Sequence, residues 1–329
     1  MSWLEKQWER HGWWSILLLP FSWLFGLVVV LRRLAYRCGL LKKNYLPVPL
    51  IVVGNISVGG TGKTPLVLWL AEHLRALGYQ PGIISRGYGG ADKLPQAVSA
   101  ASDPYQVGDE PVLLARRGLC PVWVGRDRAA AGRALLVAHP SCDIMISDDG
   151  LQHYALQRDV EIAVVDGRRR FGNGRLLPAG PLREPESRLR EVDAIVTNGD
   201  AADCAGCHDM QLLGDTFRNL IDASRVAKAE DFFGKRLHMV AGIGHPQRFF
   251  DQVRRMGLTA QEHAFPDHHP FRPEDLQIAG ADAILMTEKD AVKCAAFSQP
   301  NWWFLEVTAD LDAALLDRIL EKIRSRDGR

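Results

Sequence analysis

The stretch LIVVGNISVGGTGKTP, at residues 50–65, decides the fold of this chain. Its first four residues are apolar enough for a buried strand, and Leu66, Leu70, Leu74 and Leu77 follow it with a helical period. A strand, a glycine-rich turn, Lys-Thr and a helix in this order predict a phosphate-binding loop. The backbone N–H groups of the turn and the N-terminus of the helix would face the anion.

Each position of this loop has an expected role in binding a nucleotide. Lys63 would reach the outer phosphates, and the hydroxyl of Thr64 would bind Mg2+. The strict pattern has glycine where this chain has Ser57, but two later glycines supply the flexibility. The alternative is an ordinary glycine-rich turn before a core helix, which Gly-Lys-Thr after a buried strand disfavours. The expected nucleotide-binding residues are Ser57, Val58, Gly59, Gly60, Thr61, Gly62, Lys63 and Thr64.

The composition limits the functions that this chain can have. Its 329 residues suggest about two domains. Hydrophobic residues make up 47% of the chain, which is enough for sizeable cores. A net charge of +1 argues against a protein that coats nucleic acid, and no nucleic-acid partner is expected. Six cysteines are too few for a disulfide scaffold and suit a reducing compartment.

Residues 13–31 form an uncharged apolar segment, which is long enough for one membrane-spanning helix. Acidic residues before it and the lack of a small-residue cleavage site after it argue against a signal peptide. A buried core helix is one alternative, and Pro20 also allows a helix that lies partly in the membrane interface. By the positive-inside rule, a basic collar after the segment places the rest of the chain in the cytoplasm. This collar consists of Arg32, Arg33, Arg37, Lys42 and Lys43.

Apolar runs alternate with helical patterns along most of the chain from residue 50. This alternation predicts an α/β fold, a mostly parallel sheet with helices on both faces that binds ligands at the carboxyl ends of its strands. Arg86, Asp148, Asp149 and Asp166 fall at such ends. Residues 168–185 show neither the helical nor the strand period of apolar residues. They predict a long loop that is functional or disordered.

The expected organisation has four parts. Residues 1–46 would form the membrane anchor with its basic collar, and residues 47–205 the phosphate-loop domain. Residues 206–235 are weakly patterned and are expected to form a connector. Residues 236–329 resume the strand–helix alternation and are expected to form a smaller α/β domain.

Carboxylates and histidines in three places suggest catalytic or metal-binding chemistry. Asp148 and Asp149 end a buried strand, where they would either bind Mg2+ beside the phosphate loop or simply form a turn. Asp109 begins a predicted helix, either as a cap or as the group that orients an attacking hydroxyl. In HAFPDHHPF, at residues 263–271, Asp267 beside His268 indicates an acid–base or orienting pair, or else a solvated loop.

Two further segments carry weaker signals. Residues 204–208 read CAGCH, a haem-attachment pattern, but attachment would require the side of the membrane opposite to the basic collar. Arginines interleaved with apolar residues at 168–183 indicate contact with a phosphorylated lipid or the membrane surface, or else a solvated face.

Taken together, these stretches resemble the tetraacyldisaccharide 4'-kinase family, the lipid A 4'-kinases of Gram-negative bacteria. The resemblance implies a phosphate-loop domain, a smaller C-terminal domain, and transfer of the ATP γ-phosphate to the 4'-hydroxyl of tetraacyldisaccharide 1-phosphate, which gives lipid IVA. It also implies ATP and Mg2+ as cofactors and a site at the cytoplasmic face of the inner membrane. The matching stretches are VVGNISVGGTGKTP, SRGYGG, GDEPVL, DDGLQHYALQRDVEI, DGRRRFGNGRLLPAGPLREP, MVAGIGHPQRFF, TEKDAVKC and NWWF, from residue 52 to residue 304.

The resemblance also implies roles for individual residues. Asp109 would be the catalytic carboxylate and His268 its partner, although the adjacent His269 leaves the match ambiguous. Lys63 would act on the phosphates, and the membrane-embedded lipid A precursor is the expected partner, with no protein partner predicted. The expected metal ligands are Thr64, Asp148 and Asp149. Substrate binding is expected from Arg86, Gln152, His153, Arg168, Arg169, Arg170, Arg183 and Glu184.

Two other classes of function remain open from the sequence. One is a membrane-tethered ATPase or nucleotide switch, whose ATP hydrolysis a lipid acceptor would not stimulate. The other is a nonenzymatic binder of the membrane surface with a vestigial phosphate loop, which would show no thermal shift with nucleotide. The intact Lys63, Thr64 and Asp148 disfavour the second class.

Overall fold

The computed structural model describes residue 8 and residues 12–87, 94–199 and 206–327. Residues 88–90 of the SRGYGG stretch and Cys204 of the CAGCH stretch lie outside the described residues. Within these described ranges, thirteen strands form one continuous sheet that extends through both halves of the chain.

The described part of the chain opens with two helices, α1 (Trp13–Leu17) and α2 (Leu19–Arg37). Pro20 lies in the first turn of α2, where its missing N–H leaves no helical hydrogen bond unmade. Among the helices in the described ranges, α2 alone is long and apolar enough to cross a membrane. Its apolar side chains are largely exposed, Trp23 to 70% and Phe21 to 61%.

The sheet is parallel through most of its first half. Its order is β11-β10-β12-β13-β8-β7-β6-β1-β5-β2-β4-β3, with β9 paired to β8. The strands are β1 (Leu50–Gly54), β2 (Pro81–Ser85), β3 (Gln96–Val98), β4 (Val122–Val124), β5 (Ile144–Ser147), β6 (Val160–Asp166), β7 (Ala194–Asn198), β8 (His208–Asn219), β9 (Val226–Ala227), β10 (Leu237–Ala241), β11 (Ala260–Ala264), β12 (Ala283–Thr287) and β13 (Trp302–Leu311).

All five residues of β1 are buried, because helices cover both faces of this central parallel strand. β5 and β6 flank it in parallel register, so the carboxyl ends of the three strands meet at one edge. The remaining helices are α3 (Lys63–Ala76), α4 (Pro104–Val107), α5 (Asp109–Arg116), α6 (Arg128–Ala138), α7 (Pro246–Arg255), α8 (Glu288–Cys294) and α9 (Ala314–Asp327).

The connector predicted at residues 206–235 includes regular secondary structure. Those residues contain β8, which pairs in parallel with β7 and in antiparallel with β13. β8 therefore joins the two halves through backbone hydrogen bonds. Its side chains are mostly half-exposed, which explains why its sequence lacks a strong apolar pattern.

The predicted boundary of the smaller domain, residues 236–329, also needs correction at its end. The apolar side of α9, including Leu315, Ile319 and Ile323, packs into the same core as Ile162 of β6. The last helix therefore returns to the first half of the molecule. A separate core forms around Phe217 of β8, Phe250 of α7 and Leu305 of β13.

Candidate active site

The phosphate-binding loop connects the carboxyl end of β1 to the N-terminus of α3. Gly59 and Gly62 have φ values of +102° and +92°, which side chains rarely adopt. A Cβ on Gly62 would also lie 2.3 Å from Nδ2 of Asn198, which donates to the carbonyl oxygen of Thr61 at 3.0 Å. The backbone is thus fixed in a form that presents a helix N-terminus to an anion.

Lys63 lies in this loop between two oxygen acceptors. Its Nζ is 3.3 Å from Oδ1 of Asn55 and 3.3 Å from Oδ1 of Asp149. Arg183 Nη1 lies 3.4 Å from the other oxygen of Asp149, and Arg128 Nη2 donates to the Asp149 carbonyl oxygen at 2.7 Å. Burial raises the pKa of Asp149, but the charges of Lys63 and Arg183 outweigh it and lower the pKa to about 2.

The pKa of Asp148 is shifted in the opposite direction to that of Asp149. Its carboxylate is fully buried, and within the described part of the chain neither oxygen has a hydrogen-bond partner. Burial and the charge of Glu110 raise the pKa of Asp148 well above its usual range. A buried carboxylate without donors is a suitable ligand for a divalent cation, so the residues fit Mg2+.

Magnesium needs few protein ligands when it also binds phosphates. No group of three or more His, Cys, Asp or Glu side chains in the described ranges could hold a metal ion by itself. Thr64 is a half-buried residue in the first turn of α3, next to Lys63. The protein therefore offers few oxygen ligands for Mg2+, as expected of a site in which a nucleotide would supply the others.

Asp109 and His268 meet across the two halves of the molecule. Asp109 is the first residue of α5, and His268 lies in the loop after β11, with a φ of +57°. His268 Nδ1 is 3.0 Å from Asp109 Oδ2, while the N–H of Glu110 donates to Oδ1 at 2.9 Å. The structure thus brings together the two residues predicted to act as a pair.

The partner charges set the protonation of this pair. Burial raises the pKa of Asp109, but the hydrogen bond to His268 and the charge of Lys289 outweigh it and lower the pKa to about 2. The same hydrogen bond raises the pKa of His268. Asp109 is therefore ionised at neutral pH and can accept a hydrogen bond from a hydroxyl.

His269 has a different partner from His268. Its Nε2 lies 3.0 Å from Oδ2 of Asp275, within the C-terminal half. The ambiguity that the sequence left between the two histidines is therefore answered by geometry: His268 faces Asp109, and His269 faces Asp275.

The phosphate loop and the Asp109–His268 pair share one edge of the molecule. Gly244 follows β10, and a Cβ built on it would lie 3.1 Å from the backbone N of Gly60 and 3.3 Å from Oδ2 of Asp267. Asp267 immediately precedes His268. The glycine after β10 therefore contacts both the phosphate loop and the loop that carries His268.

The predicted substrate-binding residues fall into two groups. Gln152 and Glu184 lie behind the phosphate loop, where Gln152 Nε2 donates to the Asn55 carbonyl at 2.9 Å and to Glu184 Oε1 at 2.8 Å. Glu184 is buried, so its geometry indicates support of the loop. Burial and the charge of Arg128 lower the pKa of His153 to about 4, so it is neutral at pH 7.

The arginines lie nearer to the surface. Arg169 and Arg170 line a narrow cleft beside Ser57 and Gly60 of the phosphate loop. Arg168 is exposed, with Nη1 3.5 Å from Oδ2 of Asp251, and Arg86 is exposed after β2. Their roles toward a substrate remain predictions.

Several residues at this edge were given no role from the sequence. They act by holding other residues: Asp166 accepts from the backbone N–H groups of Arg168 and Arg169, at 3.0 and 3.2 Å, and from Nη2 of Arg248 at 2.9 Å. Their positions could have indicated them, since all but Arg128, which begins α6, lie at strand ends or inside the motifs quoted above. The others are Asn55, Arg128, Asn198 and Lys289.

Comparisons with known proteins agree with this arrangement. The family model described as "LpxK: Tetraacyldisaccharide-1-P 4'-kinase" matches residues 14–324. The chain belongs to this kinase family. The tetraacyldisaccharide 4'-kinase of Methylobacillus flagellatus is 53% identical over 321 residues, which cover 98% of this chain and 96% of that protein. The same-named protein of Nitrosococcus oceani is 53% identical over 309 residues, covering 94% and 90%.

A solved structure extends the likeness to three dimensions. LpxK from Aquifex aeolicus, an "apo" form in complex with ATP, is 30% identical with a TM-score of 0.78, covering 94% of this chain and 99% of that one. The family, the α/β fold class and the kinase activity expected from the sequence are confirmed. The alternative of a nucleotide switch without a lipid substrate is not supported.

Proposed function

We propose that this chain transfers the γ-phosphate of ATP to the 4'-hydroxyl of tetraacyldisaccharide 1-phosphate. The observation that carries the proposal is the contact of Asp109 with His268 at the edge where Gly244 meets Gly60 of the phosphate loop. A hydroxyl held by Asp109 would therefore lie beside the end of a bound triphosphate. Membership of the family supports the same reaction.

The phosphate end of the site would hold the nucleotide. The N–H groups of residues 57–64 and the ammonium of Lys63 would bind the phosphates, in competition with the present contact of Lys63 with Asp149. The oxygens of Asp148, Asp149 and Thr64 would hold Mg2+. When bound, Mg2+ would neutralise charge on the phosphate oxygens.

Asp109 would orient the acceptor. Its low pKa makes it a weak base, so it would hold the hydroxyl by a hydrogen bond and take the proton late, as the new bond forms. The bond between the sugar oxygen and the γ-phosphorus forms, the bond from that phosphorus to ADP breaks, and the proton passes to Asp109. No covalent intermediate with the protein is required.

The geometry of α2 suggests how the enzyme would reach a lipid substrate. Ser22 Oγ donates to the Leu176 carbonyl at 2.8 Å, and Arg33 and Arg37 lie 2.5 and 2.6 Å from Oε2 of Glu191. These contacts extend over 15 residues, or about 22 Å of helix. The helix therefore lies along the globular part instead of projecting from it.

The opposite side of α2 is apolar and exposed, including Trp23, Leu24, Leu27 and Leu31. We infer that this side enters the interface of the inner membrane in its plane, because a perpendicular span would pull the packed residues of the globular part into the lipid. The basic collar at the end of the helix favours the cytoplasmic face. The lipid could then present its sugar to the active-site edge without leaving the bilayer.

The direct test is to incubate the protein with Mg2+, labelled ATP and tetraacyldisaccharide 1-phosphate in mixed micelles and to separate the lipids by chromatography. We expect label in a lipid product only when the acceptor is present, and phosphorus NMR should locate the new phosphate at the 4' position. ATP consumption at the same rate without the acceptor, and no labelled lipid, would contradict the proposal.

A further inference from the structure

Two successive residues of α8 contact both ends of α5, the helix that begins with Asp109. Glu288 lies 2.7 Å from Nη2 of Arg117, which caps the carboxyl end of α5. Lys289 Nζ lies 3.1 Å from Oε1 of Glu110 in the first turn of the same helix. The C-terminal half therefore fixes the position and direction of the helix that presents Asp109.

The ammonium of Lys289 is also surrounded by the catalytic pair. Its Nζ lies 3.4 Å from Nε2 of His268, 3.5 Å from Oδ1 of Asp267 and 3.9 Å from Oδ2 of Asp109. Only 17% of the side chain is exposed, so solvent screens these charges weakly. One cation thus joins α5 to the loop that carries His268.

The chemistry of an ammonium determines which nitrogen of His268 carries the proton. Lys289 has only donors, so Nε2 of His268 must accept from it and has no proton of its own. Nδ1 then carries the proton and donates it to Asp109 at 3.0 Å. Protonation of both nitrogens would place an imidazolium against the ammonium, so the charge of Lys289 lowers the pKa of His268 and opposes the rise that the hydrogen bond to Asp109 causes.

We propose that Lys289 is a positioning residue for phosphoryl transfer, which holds His268 as the neutral tautomer that donates to Asp109. This inference rests on the proposed function. In that tautomer, the hydrogen bond from His268 orients the Asp109 carboxylate and leaves its remaining lone pairs for the sugar hydroxyl.

The first test compares Lys289→Gln with the wild type by steady-state kinetics. We expect kcat to fall roughly 10- to 100-fold, since small displacements of a catalytic group have effects of that size, with the KM for ATP changed less than about threefold. Lys235→Gln, which removes an exposed lysine from the same half, is the matched control and should leave both constants unchanged.

The pH profile separates this role from simple packing. Removal of the Lys289 charge raises the pKa of His268 and of Asp109, so the acid limb of kcat should move to higher pH in Lys289→Gln. Lys289→Arg keeps the charge, so the acid limb of its kcat profile should lie at the same pH as that of the wild type, while kcat itself falls moderately. The charged or titratable groups that face this cluster are Tyr105, Asp109, Glu110, Asp267, His268 and Lys293.

A double-mutant cycle gives the decisive result. If Lys289 acts through His268, Lys289→Gln should lower kcat by less than about threefold in a His268→Asn background. An equal factor in both backgrounds, or an unchanged pH profile, would overturn the proposal. If Lys289→Gln does not fold, Lys289→Met replaces it in the cycle, and an equal factor of loss in both backgrounds would again overturn the inference. Failure of the proposed function would look different, because the wild type itself would form no labelled lipid.

Discussion

The two ends of the active site are built in different ways. The phosphate end is a run of eight consecutive residues, 57–64, whose shape is set by two left-handed glycines and a helix N-terminus. The other end joins Asp109 to His268, which are 159 positions apart in the chain. The first is determined locally by backbone conformation, whereas the second exists only after both halves have folded and met.

The carboxylates at the same two ends also differ in the hydrogen-bond partners that the protein gives them. Asp148 is buried without a hydrogen-bond partner among the described residues, whereas Asp109 is contacted by His268 and the N–H of Glu110. A bound ligand would thus complete the phosphate end, while the Asp109 end is already formed without one. Four predictions test this difference, beginning with the largest effect.

Loss of the Lys63 charge should have the largest effect, because it removes the side chain that would contact the transferred phosphate. We expect Lys63→Met to lower turnover by about 1000-fold or more and to weaken ATP binding as well. Calorimetry and the labelled-lipid assay would measure the two losses, with Lys235→Gln as the control for charge. Retention of turnover within tenfold would contradict the assignment of the phosphate end.

The two adjacent histidines form a natural matched pair for the other end. His268→Asn should lower kcat about 100-fold by removing the hydrogen bond to Asp109, with ATP affinity unchanged. His269→Asn loses only its contact with Asp275 and should change kcat less than about threefold. The reverse ranking would show that the working geometry differs from the one described above.

Stability should change with opposite sign at the two ends. In the ATP-free protein at pH 7, Asp148→Asn removes a buried charge without donors and should raise the free energy of unfolding, whereas Asp109→Asn should lower it by about 2 kcal/mol. Urea unfolding measures both changes. A change of the same sign in both variants would remove the contrast between the two carboxylates.

The pH dependence of the Asp109 effect follows from the direction of its pKa shift. The folded pKa of Asp109, about 2, lies below the ordinary value of 3.8 that applies to the unfolded chain. The stabilisation is therefore present above pH 3.8 and is lost as the pH falls toward 2. The difference in unfolding free energy between wild type and Asp109→Asn should narrow over that window and be largest around pH 5, where Asp109 is ionised in both states. Toward pH 7 and above it should decrease, because Asp109 raises the pKa of His268 and that part of the stabilisation is lost as His268 deprotonates.

The exposed side of α2 is part of neither end of the active site. Substitutions there should change only the access of the enzyme to the membrane. Replacing Trp23 and Leu27 by serine should lower binding to anionic vesicles by about tenfold or more, since each buries apolar area in the interface. ATP affinity should not change. Leu77→Ser, at an exposed leucine after α3, is the control, and equal vesicle binding by all variants would refute the in-plane placement of α2.

Sequence patterns predicted the locally determined parts of the site. β1, the phosphate loop, α3 and the carboxylates after β5 were found because strand, turn and helix signals lie within a few residues of one another. The parallel sheet followed from the alternation of strands and helices. The choice between His268 and His269 did not, since two adjacent histidines have the same chemistry until the fold gives each a partner.

The missed features all depend on distant pairing. β8 has half-exposed side chains and becomes a strand because β7 and β13 supply its hydrogen-bond partners. Lys289 lies at a helix start whose sequence shows only a mixed charge pattern, and its proposed role rests on the positions of Glu110 and His268 around it. Such contacts leave no local period in the sequence.

The most direct test of the proposed mechanism is a single-turnover measurement on Asp109→Asn, made together with its ATP dissociation constant. If the phosphate end binds the nucleotide and Asp109 orients the sugar hydroxyl, the transfer rate should fall by about 100-fold or more while ATP binds as tightly as in the wild type. An unchanged transfer rate would contradict the role of Asp109, and a parallel loss of ATP binding would contradict the separation of the two ends.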